Sequence, residues 1–71
     1  MVYPNPNNGV FSVLSSTEIK SIELFDNLGL LISKPEIIDN NKISMMGLRE
    51  GIYYLKVSYD KQYHMEKIII Y

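Results

Sequence analysis

Seventy-one residues with a net charge of −1, a hydrophobic fraction of 46% and no cysteine make one small folded domain. That composition excludes disorder, a disulfide or thiolate–metal staple, and the basic footprint that nucleic acid demands. The apolar run Ile68-Ile69-Ile70-Tyr71 is far short of the roughly 20 residues of a membrane helix.

A chain of this size buries only about 60% of the surface its unfolded form exposes, so a stability of a few kcal/mol is expected. The sequence opens on Val2-Tyr3-Pro4-Asn5-Pro6-Asn7-Asn8-Gly9. Neither a helix interior nor a central strand accommodates prolines at this spacing. Residues 1–8 therefore read as an extended entrance segment with a turn at Asn7-Asn8-Gly9, and residues 9–71 as the domain proper. No charged and then apolar leader occupies the first positions, so this chain taken alone is expected to carry no signal peptide.

A strand is expected over Val10–Leu14, where Phe11 and Val13 flank Ser12. The next run, "SIELFD", puts Ile22 and Leu24 on one face and Glu23 on the other. Asp26-Asn27-Leu28-Gly29 then supplies the acid, amide and glycine of a tight hairpin turn. Pro35 and Asp39-Asn40-Asn41 bracket a short segment around Ile37 and Ile38. Ile43 and Met45 in "KISM" repeat the two-residue period weakly, and Arg49-Glu50-Gly51 turns the chain into "IYYLKVSY". That run alternates Tyr53, Leu55, Val57 and Tyr59 with Ile52, Tyr54, Lys56 and Ser58, and its β-branched and aromatic residues suit a half-buried sheet face. Asp60-Lys61 reverses the chain into "QYHMEKIIIY". Breakers at intervals of roughly 8–12 residues, with no helical stripe, predict an all-β antiparallel sandwich or barrel of about six or seven strands. Its core is expected to combine Phe11, Val13, Ile22, Leu24, Ile32, Ile43, Leu48, Tyr53, Leu55, Val57, Ile68 and Ile70.

Reactive chemistry finds little support. His64, the one histidine, lies in a strand-like run with no nucleophile or acid relay marked nearby, and reads as an exposed strand residue. Asp26, Asp39 and Asp60 fall at turns. Asp39-Asn40-Asn41 lacks the spaced oxygen ligands of a calcium loop, so capping is the simpler role. Six tyrosines invite a sugar-stacking platform, yet Tyr53 and Tyr59 belong to the expected core face. The four glycines, Gly9, Gly29, Gly47 and Gly51, stand singly and form no phosphate loop. No catalytic residue, cofactor or metal ligand is assigned.

The order of short motifs carries more information. Tyr3-Pro4-Asn5-Pro6 comes first, and Asp26 with Gly29 closes the "IELFDNLG" strand. Leu48, Gly51 and Tyr53 then form a Leu-x-x-Gly-x-Tyr element, and Lys67 precedes the alternating Ile68 and Ile70. In this order and with these gaps the chain resembles, over essentially its whole length, the type A C-terminal sorting domain of the type IX (Por) secretion system. Many relatives carry a further basic residue after the apolar pair, where this sequence has Tyr71.

The resemblance implies a non-enzymatic, immunoglobulin-like β-sandwich that follows a covalently attached cargo domain and is exported through the periplasm to the cell surface. Implied partners are the outer-membrane type IX translocon and a surface sortase-like protease, which commonly removes the module. Residues 1–8 would then be the stump of the linker to cargo. An apolar, proline-free final strand suits receptor binding by sheet extension, which places Lys67 and the backbone of Ile68 to Ile70 near the recognition surface. The alternative from another class is a carbohydrate-binding or adhesion β-sandwich that accompanies an extracellular enzyme. An independent enzyme is the third reading.

Overall fold

A computed structural model describes residues 2–37, 41–45 and 47–71. The strands are β1 (Val2–Tyr3), β2 (Val10–Val13), β3 (Ser21–Asp26), β4 (Leu31–Ser33), β5 (Lys42–Ser44), β6 (Gly51–Ser58) and β7 (Tyr63–Ile70). They form two sheets, ordered β1-β2-β5 and β4-β3-β6-β7, with every strand pair antiparallel. No α-helix occurs among the described residues. This is the expected all-β sandwich, and chain connections cross between the sheets from β2 to β3, from β4 to β5 and from β5 to β6.

Alternation decides which side chains meet. Phe11 and Val13 of β2 and Ile43 of β5 face Ile22 and Leu24 of β3, Tyr53, Leu55 and Val57 of β6, and Ile68 and Ile70 of β7. Leu55, Ile43 and Ile68 have no exposed surface at all. Burial of such side chains is worth about 1.5–3 kcal/mol each, the largest favourable contribution available to a domain without covalent staples.

The interior differs from expectation at both margins. Val2, Ile19 and Met45 are buried although each lies outside the strongly alternating runs, and Leu48 packs against the core only in part. Ile32 is 46% exposed instead of buried. The cause is a register shift in the β3–β4 hairpin: Leu24 pairs with Ser33 and Phe25 with Leu31, leaving Ile32 as the extra residue of a bulge. Ser33, not Ile32, therefore lies opposite inward-facing Leu24. The first long strand also ends one residue earlier than expected, with Leu14 outside it and exposed. Of the middle segment, Ile37 packs against the core, whereas Ile38 and most of the Asp39-Asn40-Asn41 turn lie outside the described residues.

The turns are built as their residue types require. Asp26 Oδ1 accepts from the Leu28 and Leu30 amides at 2.9 and 3.0 Å, and Gly29 takes a φ of +86° to close the hairpin. Gly9 adopts φ +107°, and a Cβ there would run into the Met45 carbonyl oxygen. That carbonyl belongs to the residue whose amide bonds the Gly9 oxygen at 2.8 Å, so β2 and β5 can approach only over a glycine. The Cα radius of gyration is 11.1 Å, the value of about 11 Å that a compact chain of this length should show.

These positions set a graded response to substitution. Leu55→Ala should cost about 2–5 kcal/mol and leave little or no folded population, while Ile32→Ala should stay within about 0.5 kcal/mol. Gly9→Ala should cost more than about 1 kcal/mol, because φ and contact both oppose it. Urea denaturation followed by circular dichroism ranks the three.

Candidate recognition site at the entrance segment and last strand

The entrance residues are woven into both sheets. β1 pairs with β2 through Val2 opposite Val13 and Tyr3 opposite Ser12, and buries the Val2 side chain. The peptide bonds Tyr3–Pro4 and Asn5–Pro6 are cis, and between them the chain swings across to the opposite sheet. There Asn7 forms a parallel bridge with Ile70 of β7. Its amide donates to the Ile69 carbonyl and its carbonyl accepts from the Tyr71 amide, both at 3.0 Å.

The Asn7 side chain is 1% exposed and fully engaged. Its Nδ2 donates to the Pro4 carbonyl at 2.9 Å and its Oδ1 accepts from the Gly9 amide at 2.8 Å. A buried primary amide is tolerable only when paired in this way. Asn5 sits on the surface and imitates a strand with its side chain. Its Nδ2 donates to the Lys67 carbonyl at 2.9 Å, and its Oδ1 accepts from the Ile69 amide at 3.0 Å.

Asn5 is thus brought against Lys67 and the end of β7, while Tyr3 stays on β2 opposite Ser12, and Tyr3, Pro4, Asn5, Pro6 and Lys67 are all exposed. The other motif residues lie elsewhere. Asp26 and Gly29 form the β3–β4 turn. Leu48, Gly51 and Tyr53 build the corner leading into β6, where the Tyr53 hydroxyl donates to the Arg49 carbonyl at 2.7 Å. A tyrosine near the start of a strand, bonded back to the preceding corner, is a device of immunoglobulin-like sandwiches. Ile68 and Ile70 are core residues.

Sequence reasoning marked the Asn7 turn but missed that Asn7 is buried and shared with β7. A turn residue repeated as Asn7-Asn8 gives no local sign of which amide turns inward. The backbone edge of the last strand also differs from expectation over Lys67–Tyr71. It is paired with Asn5 and Asn7, where an open edge had been inferred.

Among the described residues, groups capable of reactive chemistry do not converge. Among the described residues no group of three His, Cys, Asp or Glu side chains could hold a metal ion. His64 is exposed and pairs with Glu66 at 3.1 Å. Tyr54 and Tyr63 lie on the outer face of the four-stranded sheet, where the Lys56 ammonium sits 4.5 Å from the Tyr63 ring centroid and 4.0 Å from Glu23. Tyr53 is buried and Tyr59 packs partly on the core.

The sequence profile of the family described as "Secretion system C-terminal sorting domain" spans residues 1–71. The chain belongs to that family. No curated protein matches it. The sorting domains serve type IX (Por) secretion, which exports proteins to the cell surface, and the family is not a catalytic one. Within this sorting domain the family signature divides physically. Asp26, Gly29, Leu48, Gly51, Tyr53, Ile68 and Ile70 make turns, the corner or the core, whereas Tyr3, Pro4, Pro6 and Lys67 present side chains to solvent.

Asn7→Ala should destabilise the sorting domain by about 1–3 kcal/mol, because it leaves the Gly9 amide and the Pro4 carbonyl without partners. Tyr53→Phe should cost about 0.5–1.5 kcal/mol through the lost hydroxyl bond alone. Urea titration of the purified variants against the parent measures both.

Proposed function

We propose that this chain is the address of a larger precursor. It directs cargo attached ahead of Val2 through the outer-membrane type IX translocon to the cell surface, where a sortase-like protease removes the module. The observation that carries this reading is the match of the sorting-domain profile to residues 1–71. The division of motif residues supports it. Those needed for folding are buried or at turns, and those left over, Tyr3, Pro4, Pro6 and Lys67, are exposed, with Lys67 joined to the entrance segment through Asn5.

A carbohydrate-binding role draws on one observation, the exposed Tyr54 and Tyr63 rings beside Asp26 and Asn27 on the outer sheet face. The Tyr63 ring is already engaged by Lys56, which leaves a smaller free stacking surface for a sugar.

The test places residues 2–71 behind a signal peptide and a fluorescent reporter in a bacterium with an active type IX system. Surface delivery of the reporter is expected, with periplasmic retention when the module is deleted or when Leu55→Ala unfolds it. Retention of the parental fusion in the periplasm would sink the sorting reading, and binding of the isolated module on a glycan array would favour the second one.

A further inference from the structure

β7 ends the four-stranded sheet, so one of its edges faces away from β6. In an antiparallel ladder successive residues turn their N–H and C=O groups to opposite sides. Even-numbered residues of β7 therefore address β6, and Tyr63, Met65, Lys67, Ile69 and Tyr71 address the outside. The outer edge is divided in two. From Lys67 onward the Lys67 carbonyl, the Ile69 amide, the Ile69 carbonyl and the Tyr71 amide are taken by Asn5 and Asn7. At Tyr63 and Met65 no strand pairs with that side among the described residues.

The covering segment is unevenly held. Val2 and Asn7 are buried anchors, while Tyr3, Pro4, Asn5 and Pro6 between them are exposed. Asn5 hydrogen-bonds β7 through its side-chain amide. The covered half of the edge offers acceptor, donor, acceptor, donor in alternation over Lys67–Tyr71, and an extended backbone is the chemistry that reproduces that order. Met65 and Ile69 are 44% and 39% exposed beside it, with Lys67 exposed between them.

We propose that Asn5, in the exposed part of the entrance segment, is a displaceable strap over the edge of β7, replaced there during export by an extended segment of the secretion machinery. That segment carries apolar residues facing Met65 and Ile69 and an acidic residue facing Lys67. It seats first on the open edge at Tyr63 and Met65, then advances to the Lys67 carbonyl and the Ile69 amide as Asn5 lets go, while buried Asn7 keeps the Ile69 carbonyl and the Tyr71 amide. The inference rests on the sorting reading for the identity of the occupant and on geometry alone for the strap.

Amide hydrogen exchange of the intact chain isolates the strap. Asn5→Ala should speed exchange at Ile69 by at least about tenfold while leaving Ile68 and Ile70, which bond to β6, at their parental rates. Unchanged exchange at Ile69, or an equal rise along all of β7, would overturn it. Delivery of the reporter fusion tests the occupant. Asn5→Ala should be delivered at the parental rate or faster. Met65→Pro removes an outward N–H that no strand among the described residues pairs with, and Lys67→Glu reverses the facing charge. Each should lower delivery by about tenfold or more with the melting temperature of the purified domain retained. Parental delivery by folded Met65→Pro, or by Lys67→Glu should the proline variant not fold, would refute docking on this edge. Failure of the parental fusion to reach the surface would instead count against the sorting reading, and the exchange result would still judge the strap. Removing the last five residues would not discriminate, because Ile68 and Ile70 leave the core with them.

Discussion

Asn7 holds the two ends of this chain together. Its backbone pairs with Ile69 and Tyr71, and its side chain ties the carbonyl of Pro4 to the amide of Gly9, all with the residue almost wholly buried. Burying an unpaired amide costs several times what a formed hydrogen bond contributes, so the site tolerates no partial version of itself. Once Asn7 is seated, Val2 must lie against the core, the chain must cross from one sheet to the other, and the end of β7 must be covered. One short segment thus adds a strand beside β2 and covers part of the β7 edge.

A domain of this size gains little from its core and has no cysteine with which to form a disulfide. It compensates by making nearly every irregular position serve the two-sheet geometry. Gly9 permits β2 and β5 to touch, Asp26 satisfies the amides of the β3–β4 turn, and Tyr53 ties the entry of β6 to the corner before it. The same economy explains the family signature. Most of its positions are instructions for folding, and few side chains are left over for a partner to read. They come from opposite ends of the sequence, and those ends are joined only because Asn5 and Asn7 bond to β7.

This arrangement joins the place where cargo would be attached to an edge strand of the four-stranded sheet. An uncovered apolar edge invites unwanted pairing, and the last strand of a small exported module is vulnerable to it while the chain is in transit. Two of the covering bonds come from the exposed Asn5 side chain and open easily, whereas the two from the Asn7 backbone are held by a buried residue. The open half at Tyr63 and Met65 is short, and the Lys56 ammonium lies over the Tyr63 ring beside it.

The class of fold was legible in the residues because alternation over "IYYLKVSY" and "SIELFD" is a local property, set by the two-residue period of an extended chain. Turn positions at Asp26–Gly29 and Gly9 were legible for the same reason, since their conformations depend on side chains within a few residues. Ile32 could not be placed, because one extra residue in a hairpin inverts which neighbour faces inward and only the pairing register decides that. The entrance segment read as a linker, since its prolines exclude helix and central strand, and nothing local distinguishes an extended chain in solvent from one laid on a sheet edge. By itself the sequence determined an all-strand domain of the sorting family with dispersed polar groups. Only the tertiary structure decided that residues 2–7 belong to the sandwich and close the edge of its last strand, because hydrogen bonds between Asn5 and Lys67 or Asn7 and Tyr71 join positions more than sixty residues apart, where no local pattern reaches.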